Sequence, residues 1–232
     1  MELISQGFSQ AFKMLISGDP ELLKVILLTM RVSGTATLIS LVIGVPVGFL
    51  LAGRGFFGRR FFISVVNTGL GLPPVVAGLT VSILFWRSGP FGALRLLYTP
   101  TAMIVAQALI ATPVVAGLTI AGLQQIPPKL KNQLYVLGAS QWQIFILLLR
   151  EARFAILAAV MAGFGSVISE VGASMMVGGN ILGDTRVLTT ATVMEVSKGN
   201  FDVAIALSLV LMFFTYAITL ILTIIQQRRF PA

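Results

Sequence analysis

The residues with chemistry to offer are few, and they stand inside or beside long apolar runs. Glu170 puts a carboxylate in one run, and Ser33, Thr37 and Ser40 put three hydroxyls on one face of another through their three- and four-residue spacing. Pro73-Pro74 follows Gly69 and Gly71 within a third run, and Asn180 follows Gly178-Gly179 where a run ends. A lone carboxylate can gate a path or merely fix packing. Hydroxyls can donate to an anion or bond back to their own helix, and amides exposed at Gly178-Gly179-Asn180 can cradle an anion, with Arg186 close behind. A carboxylate repels anions, so gating or packing suits Glu170 better than direct contact with one. The chain has no His and no Cys, which removes imidazole catalysis, thiolate chemistry, disulfides and His or Cys metal sites. With one buried acid, a membrane-embedded enzyme lacks the nucleophile-base pair it would need, and no cofactor is called for.

The elements that carry these residues are set by composition. Of 232 residues, 56% are hydrophobic and 10% charged, and mean hydropathy is +0.97, whereas a soluble domain is about a quarter charged. Five runs are long enough to cross a bilayer, which takes roughly 20 apolar residues: 25–52, 61–86, 101–123, 154–177 and 203–225. Only Arg31 and Glu170 place a charge inside them, and Arg31 lies near enough to one end to snorkel. Ala162, Ser166, Glu170 and Ala173 share a face, so a stripe of small residues turns the carboxylate toward the bundle interior. Gly69, Gly71 and Pro73-Pro74 must interrupt regular helix in the second run, and Pro113 invites a bend in the third. Ile4, Phe8, Ala11, Phe12 and Leu15 give residues 1–18 one apolar face, expected to lie as a helix along the outer surface until Gly18-Asp19-Pro20 breaks it. No cleavable signal peptide, internal repeat or second domain is visible, so 1–232 reads as one membrane domain.

Short cytoplasmic segments accumulate Lys and Arg, and the split here is uneven. Arg54, Arg59, Arg60, Lys129, Lys131, Arg150, Arg153, Arg228 and Arg229 face a single acid, Glu151, on one side of the five runs. The other side holds Lys13, Lys24, Arg87, Arg95, Arg186 and Lys198 against as many acids. The first side is expected in the cytoplasm, with the amino terminus outside and the carboxyl terminus inside. The basic residues sit in short segments between spans, which argues for membrane topology and against nucleic-acid binding.

The segment 124–153 is a long inner loop for a membrane protein. After Pro127-Pro128, Leu130, Leu134, Leu137 and Gln141 form one stripe, while Lys131, Tyr135, Gly138 and Trp142 form the next. This predicts a short amphipathic helix broken near Gly138. Such a helix can be gripped by a partner or can lie on the inner leaflet; the pattern alone leaves both open.

The stretch Asn132 to Ser140 resembles the EAA loop of ABC importer permeases. Leu137-Gly138-Ala139-Ser140 matches that pattern, whereas Asn132-Gln133-Leu134 and Arg150-Glu151 depart from it. The stretch Phe164 to Ile181 is similar to the signature of permeases for sulfate, molybdate and tungstate. Ser17 to Pro20, Val32 to Thr37, Gly71 to Val75, Ser88 to Pro90, Tyr98 to Met103 and Thr185 to Ala191 look like the tungstate branch. The resemblance implies an all-α polytopic protein of the type I ABC importer fold, with about five transmembrane helices, an amino-terminal interfacial helix and a cytoplasmic coupling helix. It implies a homodimer in the inner membrane of a prokaryote, an extracytoplasmic binding protein and cytoplasmic ATPase subunits that press on Lys131, Tyr135 and Leu137 to Ser140. It implies import of an oxyanion, most closely tungstate, with molybdate, vanadate and sulfate as alternatives. None of the lysines at 13, 24, 129, 131 and 198 stands in a Gly-Lys-Ser/Thr phosphate loop, so the motor is expected on another subunit. Glu170, Ser33, Thr37, Pro73, Pro74 and Asn180 are the candidates for the path or its gate. A secondary transporter is the rival reading, but repeated halves with matching helix breaks are not visible.

Overall fold

A computed structural model describes Gly7, Ser9, Gln10, Ala11, Lys13 and residues 18–53 and 55–227. Ile4, Phe8, Phe12 and Leu15 of the expected amino-terminal helix lie outside the described residues, as do Arg54, Arg228 and Arg229. Of that helix, Gly7, Ser9 to Ala11 and Lys13 are helical, Gly7 packs on Ile205, and Ala11 is buried. This segment therefore covers protein surface as well as following it.

The main elements are α1 (Pro20–Gly53), α2 (Arg59–Leu70), α3 (Pro74–Phe85), α4 (Pro100–Gln124), α5 (Pro128–Val136), α6 (Gln141–Glu151), α7 (Arg153–Ile168), α8 (Gly172–Gly178), α9 (Leu188–Ser197) and α10 (Phe201–Gln227), with one 3-10 turn at Gly92–Leu94. Pro begins α1, α3, α4 and α5, where its missing N–H costs nothing and its fixed φ suits the first turn. Asp19 Oδ1 accepts the N–H of Glu21, which caps the start of α1. By length and apolar character, α1, α4 and α10 can each cross a bilayer; five spans result when each bent pair, α2 with α3 and α7 with α8, counts as one.

The central contact is α1 against α4. Water does not drive helices together inside a bilayer, so close backbone approach must do it, and small residues permit that approach. A Cβ on Gly48 would stand 2.7 Å from Thr119 Cβ and 2.8 Å from the Ala116 carbonyl. Hydroxyls add direction: Ser40 Oγ lies 2.8 Å from the Ala36 carbonyl and 3.3 Å from that of Ala108 across the interface. Around this pair, Val32, Ala77, Val81, Met103, Ala106, Ala173 and Val177 form a core from α1, α3, α4 and α8. Leu123, Ile144, Leu148 and Ala152 form a second cluster at the opposite end, where α5 and α6 dock.

Gly48→Ala raises intrinsic helix propensity by about 0.5–1 kcal/mol, but overpacking at a backbone contact costs about 1–3 kcal/mol, so the second effect wins. A lowered thermal midpoint in detergent is expected for Gly48→Ala, with none for Gly34→Ala, whose added Cβ meets nothing within 4 Å. Equal midpoints for the two variants would remove the close-packing account.

Candidate translocation site and coupling unit

The interruption expected in the second run is present, as a sharp turn. Leu70 and Pro74 bound a break across which α2 and α3 turn by 105°. Gly71-Leu72-Pro73 cannot continue α2, because Pro73 lacks an N–H and Pro74 resets φ for a new first turn. The fourth span breaks as well, at Ser169-Glu170-Val171, with α7 and α8 bent by 58°.

The two breaks lie side by side. Gly172, at the start of α8, stands against Val75 Cγ2, at the start of α3, and Gly78 packs on Ala173 so closely that a Cβ would sit 2.8 Å from its Cα. Glu170, 7% exposed, belongs to this junction. Its Oε1 accepts the Ala173 N–H at 2.9 Å, which satisfies an orphan donor at the start of α8. Its carbonyl accepts the Thr189 hydroxyl at 3.0 Å, and this ties the break to the first turn of α9. Glu170, Pro73 and Pro74 are thus brought together.

The other candidates fall elsewhere. Thr37 Oγ1 donates to the Ser33 carbonyl at 2.7 Å, and both residues are buried within the α1 packing surface. Asn180 follows the end of α8 with φ 52°, and its carbonyl accepts from Arg186 at 3.5 Å. The 178–187 turn is pinned from inside by Thr185, whose hydroxyl donates to the Gly178 carbonyl at 2.5 Å and accepts the Ile181 N–H at 2.9 Å. Tyr98 braces this turn by donating its N–H to the Val177 carbonyl at 2.8 Å.

Two residues and one helix of the site escaped the sequence pattern. Gln107 of α4 is buried and donates to Ser174 Oγ of α8 at 3.1 Å, the most direct polar tie between the unbroken span and the broken one. A buried amide inside an apolar run was the available signal. Thr29 donates to the Val25 carbonyl and accepts the Leu188 N–H at 3.0 Å, so it anchors α9 to α1. The segment 178–202, between the fourth and fifth apolar runs, contains α9. Its Leu188 and Ala191 pack with Leu22, Val25 and Ile26 of α1 and with Leu207 and Val210 of α10.

At the opposite end, α5 and α6 form a helix-turn-helix. Gly138, at φ 77°, reverses the chain, and Ser140 caps α6 reciprocally with Gln143: Ser140 Oγ accepts the Gln143 N–H, and Gln143 Oε1 accepts the Ser140 N–H at 2.8 Å. Ala139 N–H closes the turn on the Leu134 carbonyl. Leu130 and Leu134 pack on the inner-end cluster, but the left-handed turn takes Leu137 out of their stripe. Leu137 is 80% and Val136 88% exposed, with Trp142 and Tyr135 nearby in the chain and also exposed. Tyr135 Oη accepts from Gln141 Nε2 at 3.4 Å. Lys131 points the other way: its ammonium donates to the Gly53 carbonyl at the end of α1, where the helix dipole favours a cation. Arg59 Nε donates to the Leu51 carbonyl at 2.6 Å, and Phe49 meets Phe145 edge to face at 4.6 Å. The α5–α6 helix-turn-helix is therefore bolted to the end of α1.

Interrupted helices lined by a buried carboxylate at one level, with an apolar knuckle held on a packed base at one end, define a helical membrane transport component. Residues 44–231 match the model of the family described as binding-protein-dependent transport system inner membrane component, and the chain belongs to that family. It is 40% identical over 227 residues to the tungstate uptake system permease protein TupB of Peptoclostridium acidaminophilum, covering 98% of this chain and 100% of that one. Identity to the protein of the same name in Campylobacter jejuni is 34%, covering 95% and 92%. In fold it is similar to a chain of the inward-facing MetNI methionine ABC transporter, at a TM-score of 0.75 and 23% identity over 91% of this chain and 97% of that chain.

Two outcomes follow. Glu170→Gln keeps the oxygen that accepts from Ala173, whereas Glu170→Leu leaves a buried N–H unsatisfied at about 1–3 kcal/mol; the thermal midpoint should fall clearly further for Leu than for Gln. On the outer side, Lys198 at 2.8 Å and Asn200 at 2.7 Å hold the Glu195 carboxyl below its ordinary range. Because the folded value lies below the unfolded one, this contribution is complete above the ordinary carboxylate range and fades as pH falls through the folded value. Glu195→Gln should therefore lower the unfolding midpoint near neutrality and converge on the wild type as pH falls, which flattens the acid limb, as read by unfolding midpoints across pH.

Proposed function

We propose that the chain, as a single permease domain over 1–232, is the translocating subunit of an ATP-driven oxyanion importer, with tungstate as its substrate. The observation that carries the import reading is the coupling unit: Val136 and Leu137 stand almost fully exposed on a turn whose base is packed into the inner-end cluster. An apolar knuckle on a rigid mount suits a partner that moves. A motor can bias a bistable membrane bundle only through a contact that differs between its two states. Leu137, Gly138, Ala139 and Ser140 form the tip that a separate ATPase pair grips, with Tyr135 beside it, while Lys131 fastens the mount to α1.

The substrate assignment is supported by the two tungstate uptake permeases, which are similar over nearly their whole length. Molybdate, vanadate and sulfate share the tetrahedral shape, so the extracytoplasmic binding protein supplies most of the discrimination. A homodimer encloses the path between two copies of the α3 and α8 breaks. Glu170, Pro73 and Pro74 set the gate there, the turn at Asn180 faces the outer mouth, and Ser33 and Thr37 support it by holding α1. The amino terminus is outside, and the end carrying Arg59 and Lys131 is cytoplasmic, in keeping with the excess of basic residues there.

Leu137→Asp tests the coupling role without touching the core. A charge buried beneath a docked partner cannot be satisfied, so ATP-driven tungstate uptake into proteoliposomes carrying the assembled transporter should fall by about tenfold or more. Membrane insertion and the thermal midpoint should stay at wild-type values. Undiminished uptake by this variant would sink the coupling assignment. Sulfate outcompeting tungstate in the wild type would sink the choice of substrate while leaving the coupling unit intact.

A further inference from the structure

Helix α1 is longer than a bilayer requires. From Val32 to Gly53 it carries no charge and extends about 33 Å at 1.5 Å per residue, close to the hydrocarbon thickness of about 30 Å. Arg31 therefore stands at the boundary between acyl chains and headgroups, and Pro20 to Met30 rise beyond it, packed through Leu22, Val25 and Ile26 against α9 and α10. Beside this projecting part lies a groove of about 650 Å³, walled by α1 on one side and by the 182–186 turn on the other. Lys24, Arg31 and Arg186 line it together with Leu27, Leu28 and Leu182.

The charges in this groove are unequally employed. Asp19 is occupied as the cap of α1, and Glu21 lies 3.9 Å from Arg186. Lys24 and Arg31, exposed two turns apart on the same side of the helix, form no ion pair among the described residues. Arg186 Nε is buried and has no hydrogen-bond partner. An acceptor is missing at a site that offers three cations, stands at headgroup depth and continues into an apolar wall of leucines.

We propose that this groove binds one anionic phospholipid in the leaflet at the amino-terminal end of α1. Arg31 and Lys24 take the phosphate, Arg186 closes the site from the turn, and an acyl chain runs from Arg31 into the bilayer along the exposed Leu38 and Val42 of α1. A free oxyanion accounts for the cations but not for the depth of Arg31, which adjoins the charge-free part of α1. The bound lipid fixes the position of α1 along the membrane normal and steadies the 178–187 turn at the outer mouth.

The test uses the full-length protein purified in detergent and stripped of lipid. Phosphatidylglycerol should raise its thermal midpoint, and phosphatidylcholine or inorganic sulfate should not. Native mass spectrometry should show phosphatidylglycerol retained by the wild type, with apparent affinity about thirtyfold weaker in the double variant Lys24→Gln, Arg31→Gln, from two lost cation contacts at a membrane surface. Arg31→Lys, which keeps the charge, should retain the lipid. The proposal is overturned if the double variant holds phosphatidylglycerol as the wild type does. It is equally overturned if sulfate or phosphatidylcholine stabilises the wild type to the same extent. The comparison of ligands on the wild type stands by itself if the double variant does not fold.

Discussion

A helix interrupted at membrane depth frees backbone donors and acceptors that no water is present to satisfy, so each interruption has to be repaired by the protein itself. Two of the five spans are interrupted here, and much of the remaining structure is arranged around their repair. Glu170 supplies its side-chain oxygen to α8 and its carbonyl to Thr189, so one residue serves both sides of its own break. The start of α3 packs beside it through Gly78 on Ala173, while Val75 and Val76 at that start stay exposed. Burial of a carboxylate, ordinarily costly, is offset because the group is hydrogen-bonded into a helix start.

From that junction a continuous set of contacts runs to the far end of the molecule. Thr189 and Leu188 open α9; Leu188 N–H bonds Thr29 of α1; and α1 ends where Lys131, Phe49 and Arg59 tie it to the coupling unit and to α2. At 34 residues, α1 is about 51 Å long, and its packing on α4 through Gly48 and Ser40 leaves it no freedom to slide alone. The knuckle and the break are thus attached to opposite ends of one rod.

Much of this was legible in the sequence, for physical reasons that differ by feature. Hydropathy displays the spans because a bilayer demands long apolar runs, and Gly69, Gly71 and Pro73-Pro74 announce a break because those residues cannot propagate a helix. Glu170 stood out because a charge in such a run is expensive. The size of the break, 105°, was not legible, since the turn angle depends on what the two halves pack against. Hydroxyls were ambiguous for the same reason. Ser33, Thr37, Ser40 and Thr29 look alike in a sequence, yet Thr37 bonds only along its helix, while Ser40 and Thr29 reach other elements. The helix α9 was hidden because its threonines disrupt any simple apolar period.

Lys131 shows how far periodicity can be trusted. Helical spacing correctly puts it on a different stripe from Leu130 and Leu134, but spacing cannot say whether a stripe faces a partner or a neighbouring helix end. The carbonyl of Gly53 decides it, because an unsatisfied helix terminus attracts a nearby ammonium more strongly than an apolar partner surface does. With Lys131 turned toward Gly53, the exposed large apolar residues around the turn are Tyr135, Val136, Leu137 and Trp142. Lys129 is the cation left beside this tip, exposed and sharing a groove with Val136 and Leu137, so the tip itself is apolar while its flank stays basic.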